Sequence, residues 1–191
     1  MRSTTTVARF ALVLALAVLA ASPAAATTLM RAGLEKLTAD NQLIVQGRVL
    51  DTRSYWNDEH TFIYTDVRVS TAQVLKGPSR AEVTFTLMGG TVGDITTLII
   101  GGPNLLPGSE YVFFLSRGDL AGGVIRLTVR DLAQGVFDVI TDRTGRQVVF
   151  SQALHDPLLP DPNGIDTVPG GEQGMPLEQL VREVRTLNVG R

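Results

Sequence analysis

Two long runs with β-strand character, joined by a charged and aromatic loop, constrain the fold of this chain more than any other feature. The first run reads L-I-V-Q-G-R-V over residues 43–49, and the second reads I-Y-T-D-V-R-V over residues 63–69. Apolar and polar residues alternate in both, which is typical of a strand with one buried face. Two such strands in succession favour a small antiparallel barrel or sandwich over a nucleotide-binding fold or a helical bundle.

Two details within these runs predict local geometry. Val74 and Leu75 are adjacent apolar residues, so strict alternation is lost toward the end of the second run. A β-bulge within residues 70–73 would explain this slip, because a bulge inserts one extra residue and bends the strand. Gly47 lies inside the first run without a side chain, which predicts either close approach of another backbone or a sharp coil of the sheet there.

Further strand-length runs follow, separated by turns rich in glycine and proline. They cover residues 83–87, 95–100, 111–115, 124–129, 136–140 and 147–150, with Thr144-Gly145 at the tip of the last hairpin. About eight short strands at close spacing are typical of an all-β barrel or sandwich.

Helical periodicity occurs near both ends of the chain. Leu34 and Leu37 follow Met30 at helical spacing and predict a short amphipathic helix over residues 29–39. Residues 176–187 carry an apolar stripe with Pro176 in the first turn, which predicts a second helix. This second helix either docks on the barrel or binds another protein. Docking is favoured because an isolated helix is marginal in water. Residues 155–175, which lie between the last predicted strand and the second helix, contain four prolines and predict an extended linker.

The N-terminus has the three-part pattern of a secretory signal. Arg2 and Arg9 form a basic region, residues 10–21 are apolar and uncharged, and three alanines at 24–26 predict cleavage after about Ala26. The apolar run is shorter than the roughly 20 residues that span a bilayer comfortably. We therefore expect a secreted or periplasmic protein with no stable membrane insertion after cleavage; the alternative is an uncleaved anchor.

Composition narrows the choice of partners. Loss of Arg2 and Arg9 would change the net charge from -2 to -4, so nucleic acid and anionic membranes are not expected as partners. Aromatic residues make up only 6% of the chain, unlike the basic, aromatic grooves that bind single strands. The chain has no cysteine, which excludes disulfides, thiolate metal sites and a cysteine nucleophile.

The loop between the two long runs contains the candidate binding residues, which are Tyr55, Trp56, Asp58, Glu59 and His60. Trp and Tyr most often anchor protein interfaces, so this loop tip is predicted to contact a protein. A weak metal site is the alternative, but neighbouring side chains converge poorly and metals usually need three or four ligands. A solvated loop, or Trp56 folded back over the end of the barrel, are the structural alternatives.

Other constellations lack the pattern that their chemistry needs. Ser151 near His155-Asp156 has no G-x-S-x-G elbow. The spacing of Asp156, Asp161, Asn163 and Asp166 does not match a calcium loop. The glycines at residues 89–93 lack the G-K-[ST] ending of a phosphate loop. No catalytic residue, cofactor or metal is therefore assigned.

The order of these segments resembles the netrin-like module of tissue inhibitors of metalloproteinases. The resemblance rests on D-N-Q-L-I-V-Q-G-R-V at 40–49, I-Y-T-D-V-R-V at 63–69, V-L-K-G-P at 74–78, V-T-F at 83–85 and P-G-S-E-Y-V-F-F-L at 107–115. The chain is also similar to uncharacterised exported bacterial proteins with the same order. The resemblance implies an oligonucleotide/oligosaccharide-binding (OB) type barrel with an added helix. Those inhibitors chelate zinc through an N-terminal cysteine, whereas this mature chain would begin at Thr27, so no inhibitory residue is carried over.

These patterns predict a mainly β chain in four parts. They are a signal peptide at 1–26, a closed or partly open OB-like antiparallel barrel with a short N-terminal helix at 27–154, a linker at 155–175 and a C-terminal amphipathic helix at 176–191. The expected function is an exported, non-catalytic binding module that contacts another secreted or envelope protein, for which a protease is one candidate. The alternatives are a small exported hydrolase or metal-dependent enzyme, and an envelope or matrix component tethered by the C-terminal helix.

Overall fold

The two long runs form β1 (Leu43–Trp56) and β2 (Ile63–Lys76) in the computed structural model, which describes residues 30–120, 123–156 and 169–189. The other strands are β3 (Glu82–Met88), β4 (Gly90–Val92), β5 (Ile95–Thr97), β6 (Glu110–Leu120), β7 (Val124–Val129), β8 (Val136–Thr141), β9 (Gln147–Ser151) and β10 (Met175–Pro176). The helices are α1 (Leu34–Asp40) and α2 (Leu177–Val189), with 3-10 turns at Leu132–Gly135 and Gly171–Gln173. The predicted signal peptide lies outside the described residues.

The strands form one curled antiparallel sheet that makes a half-barrel. Its order is β10-β9-β8-β6-β1-β2-β3, with β7 paired to the second half of β6 and β4–β5 as a separate hairpin. β3 and β7 lie against each other at the open side, but no ladder joins them in the described part of the chain. The predicted mainly β, partly open barrel with a short N-terminal helix and a C-terminal helix is confirmed.

The curvature of the sheet comes from register shifts between β1 and β2. Ala72 and Leu75 of β2, and Leu50 of β1, have no direct partner across the ladder. The predicted bulge within residues 70–73 is therefore confirmed at Ala72. The shift at Leu75 explains the adjacent apolar pair, because Val74 packs against one core and Leu75 against the other.

Those two cores lie on opposite faces of the sheet. The inner core fills the half-barrel and includes Val45, Val67, Phe85 and Phe113. The outer core lies between the sheet and both helices and includes Leu37, Ile44, Phe114, Phe137 and Leu180. β6 contributes to both cores, since its residues 111, 113 and 115 face inward while 112 and 114 face outward. This double burial explains why residues 111–115 form an unbroken apolar run.

Gly47 lies where the backbone of β2 closely approaches that of β1, as predicted. A Cβ atom at this position would lie 2.5 Å from the Ser70 carbonyl oxygen and 2.6 Å from Val69 Cγ1. Real Cβ atoms do not approach other atoms so closely, so only glycine fits at this point of the curled sheet.

The first helix begins later than predicted, at Leu34. Residues 30–32 are instead held by the buried side chain of Gln134. The Ala32 N–H donates to Gln134 Oε1 at 2.7 Å, and Gln134 Nε2 donates to the Met30 carbonyl at 3.1 Å. These bonds satisfy backbone groups that a helix would otherwise use, so the apolar periodicity of Met30 does not produce a helical turn.

The C-terminal helix α2 packs on the outer core through Leu177, Leu180 and Val184. Docking on the barrel is therefore the arrangement observed. Pro176 lies in β10 rather than in the first helical turn, because Met175 and Pro176 pair with β9. Of the predicted linker at 155–175, residues 157–168 lie outside the described residues, whereas 171–173 form a 3-10 turn and Met175 begins β10. None of the described helices has the length and apolar character needed to cross a membrane.

Candidate binding surface

The turn between β1 and β2 is organised by Asn57. Its backbone N–H donates to the Phe62 carbonyl at 2.8 Å, which closes the hairpin. Its side-chain Oδ1 accepts hydrogen bonds from the N–H groups of Thr61 and Phe62, at 2.8 and 2.9 Å. An Asn side chain that satisfies backbone groups in this way holds a turn in one conformation. The predicted loop tip is therefore a defined turn.

The turn brings Trp56 and His60 together. His60 has a φ of 55°, a left-handed conformation that non-glycine residues rarely adopt. Its ring stacks on that of Trp56 with a centroid distance of 6.3 Å and an interplanar angle of 21°. His60, Asp58 and Glu59 are exposed, and Trp56 is half-buried. The tip thus presents an aromatic pair beside two carboxylates.

Tyr55 lies on the other face of β1, because neighbouring residues in a strand point to opposite faces. Its ring lies 6.3 Å from that of Tyr64, and Tyr64 lies 5.3 Å from Phe62. The Tyr55 hydroxyl donates to Asp66 Oδ1 at 3.1 Å, and the Thr86 hydroxyl donates to the same oxygen at 2.7 Å. Partial burial, followed by the charge and hydrogen bond of Asp66, raises the pKa of Tyr55. The five predicted residues are therefore divided between two faces.

The acidic residues of the tip do not converge on an ion position. Glu59 Oε2 accepts a hydrogen bond from Asn57 Nδ2 at 2.8 Å, and His60 Nδ1 lies 3.3 Å from the Asp58 carbonyl oxygen. No group of three or more His, Asp or Glu side chains within the described ranges is arranged to hold a metal.

The other constellations singled out in the sequence are also separated. Ser151 is buried and its Oγ accepts a hydrogen bond from the Ala153 N–H at 3.3 Å, whereas His155 is exposed. Asp161, Asn163 and Asp166 lie outside the described residues. The glycines at residues 89–93 lead into the β4–β5 hairpin and not into a helix.

A second surface, which the sequence patterns did not indicate, lies at the loop after β5. Leu98 and Ile100 are 80% and 87% exposed, the highest values among the large aliphatic side chains that the structure describes before the C-terminal helix. We call these two residues the aliphatic knob. Ile99 lies between them and faces an open cavity of about 850 Å³. We call this cavity the socket; its apolar walls are formed by Leu87, Met88, Ile99, Leu120, Val129 and Leu132.

Comparison of the sequence with models of known protein families and with curated proteins found no match. The netrin-like resemblance therefore stays a prediction.

Proposed function

We propose that the chain is exported after loss of residues 1–26 and acts as a non-catalytic module that binds another secreted or envelope protein. A secreted protease is one candidate partner. The contact surface is the β1–β2 tip, formed by Trp56, Asp58, Glu59 and His60, with Tyr55 supporting it from the opposite face of β1. The leader pattern supports export, and the geometry of the tip supports binding.

The observation that carries this proposal is the fixed presentation of Trp56 and His60. Asn57 holds the turn through its side chain, so a partner meets one conformation and little order has to be imposed on binding. Tryptophan is among the residues that contribute most to protein interfaces. A half-buried indole stacked on an exposed imidazole offers a flat apolar surface with a polar rim.

The chemistry of the tip favours a basic partner surface. Asp58 and Glu59 are both exposed, and neither belongs to an ion pair within the described residues. A Lys or Arg of the partner could form ion pairs with these carboxylates and a cation–π contact with the ring of Trp56, since cations are attracted to aromatic faces. Binding should therefore weaken as ionic strength rises.

The test is affinity capture from an extract of exported proteins of the same organism. The wild-type chain is compared with Trp56→Ala, with Asp58→Lys combined with Glu59→Lys, and with Arg143→Ala. Arg143 is an exposed residue at the tip of the β8–β9 hairpin and serves as the matched control. Circular dichroism of each variant verifies the fold.

The proposal expects one protein that is retained by the wild type and by Arg143→Ala, and lost with both tip variants. Retention of the same protein by all variants would contradict the assignment of the tip. Absence of any partner, together with turnover in a panel of hydrolase substrates, would favour the enzyme alternative instead.

A further inference from the structure

We propose that the knob and the socket form an interface between two copies of this chain, with each knob seated in the socket of the other copy. This interface is independent of the proposed function, because it uses the loop after β5 and not the β1–β2 tip. It gives the protein a closed two-fold dimer.

The first argument is the exposure of the knob. Leu98 and Ile100 flank a half-buried residue, Ile99, in the loop that follows β5 directly and continues into Gly101 and Gly102. Soluble chains tolerate single exposed aliphatic residues, whereas two of them beside an open apolar cavity extend it into a contiguous apolar patch, which favours an interaction surface. Pocket walls made mainly of apolar side chains are also typical of binding sites. Among the described residues, no side chain covers the knob, and the socket is open to solvent.

The second argument is that the two features are neighbours on one chain. Ile99 is a wall of the socket and at the same time the central residue of the knob loop. In an isologous interface the same patch meets itself, so a protrusion next to a cavity is complementary to its own copy across a two-fold axis. The volume of the socket, about 850 Å³, lies within the range of pockets that take up whole small molecules, so it has room for two aliphatic side chains.

The third argument is the charge pattern of the socket. Arg130, Asp119 and Asp131 line it, and none of the three forms an ion pair in the described part of the chain. A patch with one sign of charge would repel its own copy. A patch that carries both signs can place Arg130 of one copy against a carboxylate of the other, which is complementary charge across a two-fold axis.

The test is sedimentation velocity of the exported chain, purified with its natural N-terminus, at concentrations up to about 1 mM, a range that detects even weak dimers. The wild type should shift from monomer to dimer as concentration rises. Leu98→Ser combined with Ile100→Ser should raise the dissociation constant by about 100-fold or more, since each buried aliphatic side chain accounts for at least about tenfold. Ile140→Ser is the matched control, because Ile140 is also exposed, at 52%, but lies on β8; it should leave the dissociation constant unchanged.

A cross-link tests the pairing of knob and socket directly. Because the chain has no cysteine, Ile100→Cys and Met88→Cys can be prepared as separate single-cysteine proteins and mixed. A disulfide between the two variants is expected, and none between Ile100→Cys and Ile140→Cys. A wild type that stays monomeric at every concentration would overturn the proposal. So would a dimer that the knob variant leaves intact, assemblies larger than a dimer, or failure of the Ile100–Met88 cross-link.

Discussion

Replacement of Leu180 by alanine tests whether the C-terminal helix is part of the folded core or a separable tail. Leu180 is fully buried in α2 and packs in the outer core between the sheet and α1. Alanine keeps the helix propensity high, so the change acts on packing and not on helix formation. The variant therefore reports the energy with which α2 docks on the sheet.

The expected loss of stability follows from the atoms removed. Leu→Ala deletes three carbon atoms, and the transfer contribution at about 0.8 kcal/mol per carbon is about 2.4 kcal/mol. The outer core around Leu180 is formed by sheet residues with fully buried side chains, such as Ile44 and Phe114, which limits collapse of the cavity. A cavity contribution brings the expected destabilisation to about 3–4 kcal/mol, within the usual range for buried leucines.

Urea denaturation followed by circular dichroism measures this loss. The control is Val189→Ala, at the exposed end of the same helix, where the side chain is 84% exposed and the expected change is within about 0.5 kcal/mol. A loss below about 1 kcal/mol for Leu180→Ala would refute the reasoning, since it would mean that α2 does not depend on the core. A fall in the urea m-value would indicate instead that the helix has already left the sheet before global unfolding.

Three further perturbations follow from single contacts. Gly47→Ala should destabilise the fold by about 1–3 kcal/mol, because its Cβ would overlap the Ser70 carbonyl; urea denaturation measures it, and an unchanged midpoint would contradict the packing at this point. Hydrogen bonds from Thr144 and Arg146 lower the pKa of Asp142 to about 2. The Asp142 carboxylate therefore stabilises the β8–β9 turn fully above its ordinary pKa of about 3.9, and this stabilisation is lost as pH falls through about 2. NMR titration of the turn amides should show this transition, which Asp142→Asn should abolish. Asp66→Asn should lower the pKa of Tyr55, because it removes the negative charge beside the hydroxyl; an ultraviolet difference titration that is unchanged would contradict the Tyr55–Asp66 contact.

The fold could be predicted from the sequence where local pattern and tertiary packing agree. Three features of β1 and β2 were informative because these strands are neighbours both in the chain and in the sheet. They are the alternation of apolar and polar residues, the loss of alternation at Val74-Leu75 and the missing side chain of Gly47. The start of α1 could not be predicted in this way. It depends on Gln134, which lies 102 residues from Ala32 in the chain, and helical periodicity carries no information about so distant a hydrogen bond.

The candidate site was predictable in composition but not in arrangement. Residue type alone indicated the β1–β2 loop, and the structure places Trp56, Asp58, Glu59 and His60 there. Tyr55 and Trp56 lie on opposite faces because β1 continues as far as Trp56. The second half of β1 is rich in polar residues, so the sequence pattern did not predict that the strand extends so far. The knob was missed because an L-I-I run is typical of a buried strand, and only the packing of the surrounding loop leaves two of its three side chains exposed.

The residues that stabilise the fold and the residues proposed to bind partners lie in different parts of the structure. The first half of β6 is buried on both faces, and the curled β1–β2 pair is bent by bulges around Gly47, so the residues that determine the shape of the sheet are not available for contact. The tip and the knob lie on connections at which the backbone leaves the sheet, and their exposed side chains contribute little to either core. Substitutions at Asp58, Glu59, Leu98 and Ile100 should therefore change association while leaving the unfolding midpoint nearly constant. Substitutions such as Leu180→Ala should do the reverse. If both classes of variant changed stability and association together, the tip and the knob would have to be part of the folded core. Binding and folding would then depend on the same residues of this half-barrel.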